Sequence, residues 1–395
     1  MIKIDNNSEL KQRYSEIARF FTYAKFISLI LIVLFILFAF YFYRDDITIE
    51  NFRYMIKYLD FEAPDAAEAH GEASIAFDGE GAVSLALYRN DLAVLGRTEI
   101  NLYDMAGQNI FSSKYTMSSP TVVCGDKYML AFDLGGNYLA VFNTFSKIWE
   151  TSFEYPIVDA AINDRGDFCV VTSEKGYTSA VYVYNRDFEK VYSWMSGDKY
   201  VVDVAMSQKH DDKFILSTLR AHNGFFSGEI ILLSSDSKEA VASVTLHDCM
   251  ALELSDFSDT VALLSDNSLS FFDANTLEAV STVPFFRDSL NDFCYNEKYN
   301  VLVLSKKIIG SENELMVYNS DGTHLNTFTL QGHITDVCVT ENELYVLLSG
   351  ELAVFDLDTF EKRSLSVDKR YDELLSNKSA VILAGATDAV TVKGD

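Results

Sequence analysis

Basic residues are scarce in this chain: 32 Lys and Arg stand against 58 Asp and Glu in 395 residues, a formal net charge of −26. Contacts to a phosphate backbone need clustered Lys and Arg, so a nucleic-acid partner is excluded. Proline is rarer still, with 4 residues, while 29 Phe and 22 Tyr contribute to a 49% hydrophobic content. A disordered acidic chain is polar, so this one must bury a large core. The five Cys, at 124, 169, 249, 294 and 338, include no CxxC, and an odd number cannot all pair within one chain. Buried free thiols, metal ligation and a disulfide all remain as readings of them. The six His are scattered with no HExxH, which removes a zinc hydrolase, and there is no Gly-x-Ser-x-Gly and no Walker-type loop.

What is present begins with one long apolar run. Phe26 to Tyr43 carries no charge over 18 residues, roughly 27 Å of helix at about 1.5 Å per residue, against a hydrocarbon core of about 30 Å. Aromatic residues flank it at Phe20, Phe21 and Tyr23 and again at Tyr41 and Tyr43, as interface belts do. Lys3, Lys11, Arg13, Arg19 and Lys25 precede it, and Arg44, Asp45, Asp46 and Glu50 follow. The positive-inside rule then expects a cytoplasmic N-terminus and an exported remainder. The run exceeds a usual signal-peptide core and ends in bulky aromatics, so an uncleaved signal-anchor at the plasma membrane is expected. Residues 1–43 hold 5 basic and 3 acidic residues, so residues 44–395 carry a net charge of −28.

The chain divides accordingly into a cytoplasmic tail (1–25), the anchor (26–43), a stalk helix with a linker (44–73) and an ectodomain (74–395). In the stalk, Thr48 is placed to cap a short helix whose Ile49, Phe52, Met55, Ile56 and Leu59 recur at three- and four-residue spacing. That stripe either packs on the ectodomain or lies in the membrane interface.

From Ser74 the period of apolar residues changes to two, and one phrase recurs: an alternating apolar stretch ending in an aromatic residue and Asp or Asn. It appears at Tyr103-Asp104, Phe142-Asn143, Tyr184-Asn185, Phe272-Asp273, Tyr318-Asn319 and Phe355-Asp356, with Leu233-Ser234 a weaker copy. A spacing of about 40 residues is that of one four-stranded propeller blade. Each phrase is followed by a turn, such as Asp104 to Gly107 or Asn319 to Gly322, and then by a further strand such as Asn109–Lys114 or Leu277–Val283. The expected fold is all-β, an eight-bladed β-propeller, with a seven-bladed ring as the alternative. The eighth unit has three strands, and Ser74 to Phe77 is expected to complete it and close the ring.

These blades resemble the quinoprotein-like (PQQ-like) and WD40-like propellers over roughly Ser74 to Asp395. One unit carries Gly332-His333, Asp336 and Phe355-Asp356 in the manner of a WD40 repeat. The whole layout also resembles an uncharacterised single-pass family from Firmicutes-type bacteria, in which a "thr-x-glu-asn" helix precedes an eight-bladed ectodomain; Thr48, Glu50 and Asn51 match it. The resemblance implies a location in the bacterial cell envelope. Quinoprotein dehydrogenases carry adjacent Cys and Trp-rich blades; this chain has neither, with Trp149 and Trp194 alone, both expected to pack between blades.

The candidate site is a repeated Asp on the innermost strands: Asp159, Asp203, Asp292 and Asp336, with Cys249 expected in the corresponding place of the fifth blade. Such a ring at a channel mouth binds a cation, calcium included, or a basic peptide segment; alternatively each Asp caps its own turn. The turn from Asp356 to Glu361 offers a second calcium reading against that of a solvated hairpin. No catalytic set converges, and no cofactor is expected. The expected function is therefore a membrane-anchored, non-enzymatic propeller binding envelope proteins or basic peptide segments. A ligand or cation sensor, or an enzyme, using the central channel is the alternative.

Overall fold

The structure is a computed structural model. It describes residues 23, 25–35, 74–77, 84–222, 225–246, 248–306, 312–377 and 380–392. The chain forms two compact units, Met1–Glu68 and Ala69–Asp395. In the first, residues 25–35 are helical. Among the described residues no helix is long and apolar enough to cross a membrane. The remainder of the apolar run, residues 36–43, and the expected stalk helix from Thr48 to Leu59 lie outside the described residues.

The second unit is an eight-bladed β-propeller: the described strands form eight four-stranded antiparallel sheets, seven of them built from strands consecutive in the chain. In blade 3, for example, the order from inside to outside is Ile157–Ile162, Phe168–Glu174, Tyr177–Tyr184 and Lys190–Ser196. Such sheets follow from hairpins alone, because each strand pairs with the next one along. Blade 8 is the exception. Its Tyr371–Ser376, Val381–Gly385 and Asp388–Val392 take their outermost strand from the start of the domain, Ser74–Ala76. Ser74 pairs with Val390, Ile75 with Ala389 and Ala76 with Asp388, so the ring closes as expected and no seven-bladed arrangement arises.

Packing explains why the second strands read as unbroken apolar runs. Successive side chains on a strand point to opposite faces, and each blade is sandwiched between two others. Ala93 and Leu95 in blade 1 therefore pack towards blade 2, while Leu92 and Val94 pack towards Ile382, Ala384 and Ala389 of blade 8. The same division recurs around the ring, with Ile75 and Phe77 inside the blade 8–blade 1 core. Trp149 of blade 2 stacks on Phe188 of blade 3, with ring centroids 5.6 Å apart and 9° between planes, which is the inter-blade role expected of it.

The recurring Asp or Asn after the aromatic residue has a local job. Asp104 Oδ1 accepts from the amides of Ala106 and Gln108, Asp273 Oδ1 from Asn275 and Thr276, and Asp356 Oδ1 from Asp358 and Thr359. Each is an Asx turn joining the third strand to the outermost one. The Asp356 carboxylate is thus a turn acceptor, and these amides hold its pKa below the ordinary value. Gly107 and Gly322 supply the left-handed residue in two of these turns, with φ of 82° each. In blade 5 that position is Leu277, at φ 56°, so the outer strand is Ala279–Pro284 and starts two residues later than the spacing suggested.

Candidate functional site

Each inner strand runs from one end of the propeller to the other. The end where inner strands begin also carries the hairpins between second and third strands; the opposite end carries those between inner and second strands. These two ends differ in chemistry.

At the first end, the inner strands of blades 3 to 8 share a β-bulge. The register slips between Ile157 and Asp159, Val201 and Asp203, Ala251 and Glu253, Leu290 and Asp292, Ile334 and Asp336, and Tyr371 and Glu373. A carboxylate ends every slip. The expected residues Asp159, Asp203, Asp292 and Asp336 are all in place, and two further members, Glu253 and Glu373, complete an arc of six. Cys249 does not hold the fifth position; it precedes the inner strand of blade 5, Ala251–Leu254, and Glu253 holds it. Counting forward from blade 4 slips here because the connection from Leu246 to Ala251 spends its residues outside either strand. Blades 1 and 2 lack the bulge, and Ala86 and Val122 stand in the corresponding places of strands with continuous pairing.

A bulge leaves backbone amides without ladder partners, and the carboxylates accept them. Asp159, Asp203, Asp292 and Asp336 each accept from the next residue's amide, at 2.8 Å. The second oxygen reaches across to the following blade: Asp203 Oδ2 accepts from the amide of Leu254 at 2.6 Å, and Asp336 Oδ2 from that of Leu374 at 2.6 Å. Asp203 and Asp336 are therefore clasps between neighbouring blades. Residues just before them, such as Val158 and Leu252, are the exposed ones.

Half-buried carboxylates in one arc are hard to ionise together. Burial, followed by the Asp203 charge, pushes the Asp159 carboxyl up to about 8. Burial with Asp203 and Asp292 takes Glu253 to about 7, and burial takes Asp292 to about 6 despite its backbone amide. Asp203, Asp336 and Glu373 are raised mainly by burial. Each of the pair accepts two backbone amides, but the hydrogen bond between them raises Asp159 and lowers Asp203. The shared proton therefore resides on Asp159, which donates to Asp203. Among the described residues no three His, Cys, Asp or Glu side chains converge closely enough to hold a metal ion.

The first end also carries exposed apolar side chains. Tyr200 is 57% exposed, Phe226 64% and Phe286 83%, with Leu134, Tyr177 and Met250 exposed around them on other loops of that end. The blade 4 hairpin is the longest, joining Lys213–His222 to Phe225–Ser234, and its register puts Tyr200 and Phe226 on the same face.

The opposite end is polar. A cavity of about 800 Å³ opens there between the hairpins that join inner and second strands. Asn side chains tie these hairpins together: Asn163 Nδ2 donates to the carbonyl of Ser207, Asn296 Nδ2 to that of Val339, and Asn377 Nδ2 to that of Arg89. The last of these links blade 8 to blade 1. The five thiols are unpaired, with Cys169 and Cys338 buried, and Cys124 faces this cavity.

Fold and site together define an eight-bladed propeller whose one end combines an arc of carboxylates with exposed aromatic side chains and whose other end is a polar cavity. The family of unknown function DUF5711 matches residues 67–393, and the chain belongs to it. No curated protein matches the chain. Among solved structures it is similar to the C-terminal WD40 domain of Sif2, with a TM-score of 0.59 at 15% identity over 82% of this chain and 98% of that one. The computationally designed Ika8 protein gives 0.57 at 12% identity, over 82% and 100%. BamB from Moraxella catarrhalis gives 0.51 at 11% identity, over 81% and 99%. At these identities the likeness is one of fold.

Proposed function

We propose that this chain is a non-catalytic protein-binding module, held at the bacterial plasma membrane by the apolar segment Phe26 to Tyr43 with its propeller outside the cytoplasm. The exposed aromatic residues at the end where the inner strands begin carry this reading. Large aromatics left in water are the usual anchors of protein interfaces, and Tyr200, Phe226 and Phe286 are all largely exposed at this end. The partner that fits is a protein segment with apolar side chains and excess positive charge, because residues 44–395 carry −28. Two of the titratable groups at that end, Asp203 and Asp336, are engaged as blade clasps, which favours binding over catalysis. Membrane attachment is supported by residues 25–35, whose helix leaves Leu31 61% and Phe35 72% exposed.

A photo-crosslinking amino acid placed at Phe226 tests the first part in intact cells. Defined adducts are expected from position 226 and none from Asp321, at the polar end; equal labelling from both positions would sink the proposal. Protease added to intact cells should degrade the propeller, and a protected propeller would overturn the topology.

A further inference from the structure

Each bulge of the inner strands inserts one residue that has no partner in the ladder, the residue just before the carboxylate. That residue is exposed in all six blades. An innermost strand is covered by neighbouring blades on both faces and paired along its outer edge. The side left open to water is therefore that of the channel mouth. The clasps between blades do not use these side chains.

They are of two kinds. Blades 3, 4 and 5 place Val158, Val202 and Leu252 there, 44%, 37% and 39% exposed. Blades 6, 7 and 8 place Asn291, Thr335 and Asp372. The bulge thus accepts a polar residue, and three apolar ones left in water on successive blades are not required by the fold. The division continues outside the mouth. Among the described residues, the large exposed apolar side chains of this end come from blades 2 to 5 and from the loop leaving blade 5, which carries Phe286; blades 7, 8 and 1 contribute none.

Charge divides the same way. On the apolar side the cations are matched: Lys199 pairs with Glu229 at 2.5 Å, Arg220 with Asp198, and Arg287 with Asp266 at 3.0 Å. On the polar side Arg370 is taken by Asp368 and Asp388, and Asp292, Asp372 and Glu373 have no ion pair among the described residues. Burial and then the Asp336 and Asp372 charges raise Glu373, as happens where no cation is near.

We propose that an amphipathic segment of a protein partner lies across this mouth, its apolar side chains on Val158, Val202 and Leu252 and a Lys or Arg against Asp292, Asp372 and Glu373. This rests on the protein-binding reading above and adds where the segment lies and which way round. A wholly apolar segment would desolvate three carboxylates with no counter-charge, and a wholly basic one would leave the apolar arc in water. Tyr200, Phe226 and Phe286 flank the apolar half and extend the same contact.

The test uses the full chain in phosphatidylcholine nanodiscs, titrated at fixed ionic strength with three labelled, capped dodecapeptides built from Leu and Lys, from Leu and Glu, and from Ser and Lys. Saturable binding is expected for the Leu-Lys peptide alone. Leu252→Ser and Asp372→Asn, at exposed positions outside the clasps, are expected to weaken it about tenfold and about threefold. Asp372→Lys is expected to move the preference towards the Leu-Glu peptide. Binding lost in Phe226→Ser but unchanged in Leu252→Ser and Asp372→Asn would overturn the mouth assignment and leave the aromatic surface as the binding site. No saturable binding of any peptide would overturn both. Equal binding of either control peptide to the wild type, or self-association of the chain that Leu252→Ser abolishes, would also overturn the assignment.

Discussion

Replacing Asp159 by Asn should stabilise this propeller, and by more as pH rises from about 4 to about 8. The carboxyl sits in a bulge of blade 3, shares a proton with Asp203, and is pushed up to about 8. Asn is the isostere of its protonated form: it accepts the Ala160 amide through Oδ1 and donates through Nδ2 towards Asp203. A group with a raised folded pKa binds its proton more tightly in the folded state than in the unfolded chain. Its stabilisation is thus complete below about pH 4 and is lost as pH rises through about 8. Glu253 at about 7 and Asp292 at about 6 act in the same direction. The rise of Asp159 from 3.8 to about 8 corresponds to at most about 6 kcal/mol. Coupling to Asp203 and channel water bring the expected effect to about 2 kcal/mol. With an unfolding entropy of about 2 cal/mol/K per residue, a domain of this length shifts by about 3 °C for that energy. Scanning fluorimetry on Trp149 and Trp194 at pH 5.5 and 8.5 reads it directly. The wild type should melt lower at pH 8.5 than at 5.5, and Asp159→Asn should recover about 3 °C at pH 8.5 and about 1 °C at 5.5, because the loss accumulates between the unfolded value of 3.8 and the folded value of about 8. An equal loss of stability at both pH values would refute the shared-proton argument.

Two further substitutions probe the ring itself. Ile75→Ala empties a fully buried site in the closing core between blades 8 and 1 and should cost about 3 kcal/mol in a urea titration; a loss below about 0.5 kcal/mol would mean that the first strand does not hold the ring shut. Asp203→Ala strands the Leu254 amide, held at 2.6 Å, and should cost about 1–3 kcal/mol where Asp203→Asn costs less, with similar losses for both variants counting against the clasp.

Much of the fold was legible before any coordinates. Antiparallel blades are made of consecutive hairpins, so their signals are local: period-two strands, an Asx turn after each aromatic residue, and a repeat of about 40 residues. Even the closing strand could be read, because Ser74 to Phe77 was left over where blade 8 lacked a partner. The bulge carboxylates were partly legible for the same reason. The four Asp stood out by repetition, but Glu253 and Glu373 carry a longer side chain in the same place and escaped notice. The pattern that identifies them is the buried-exposed-carboxylate-buried run of Ala251 to Leu254, which resembles that of Ile157 to Ala160.

The chain's shortage of positive charge could be counted in the sequence, and so could its blades. Where the surplus carboxylates gather could not. Asp159 meets Asp203 across two blades, and the polar cavity draws on residues from Leu87 to Asn377. Hairpin pairing acts between neighbours in the chain and writes itself into local pattern. Burial and shared protons arise only once the ring has closed around its channel and brought distant blades to face one another.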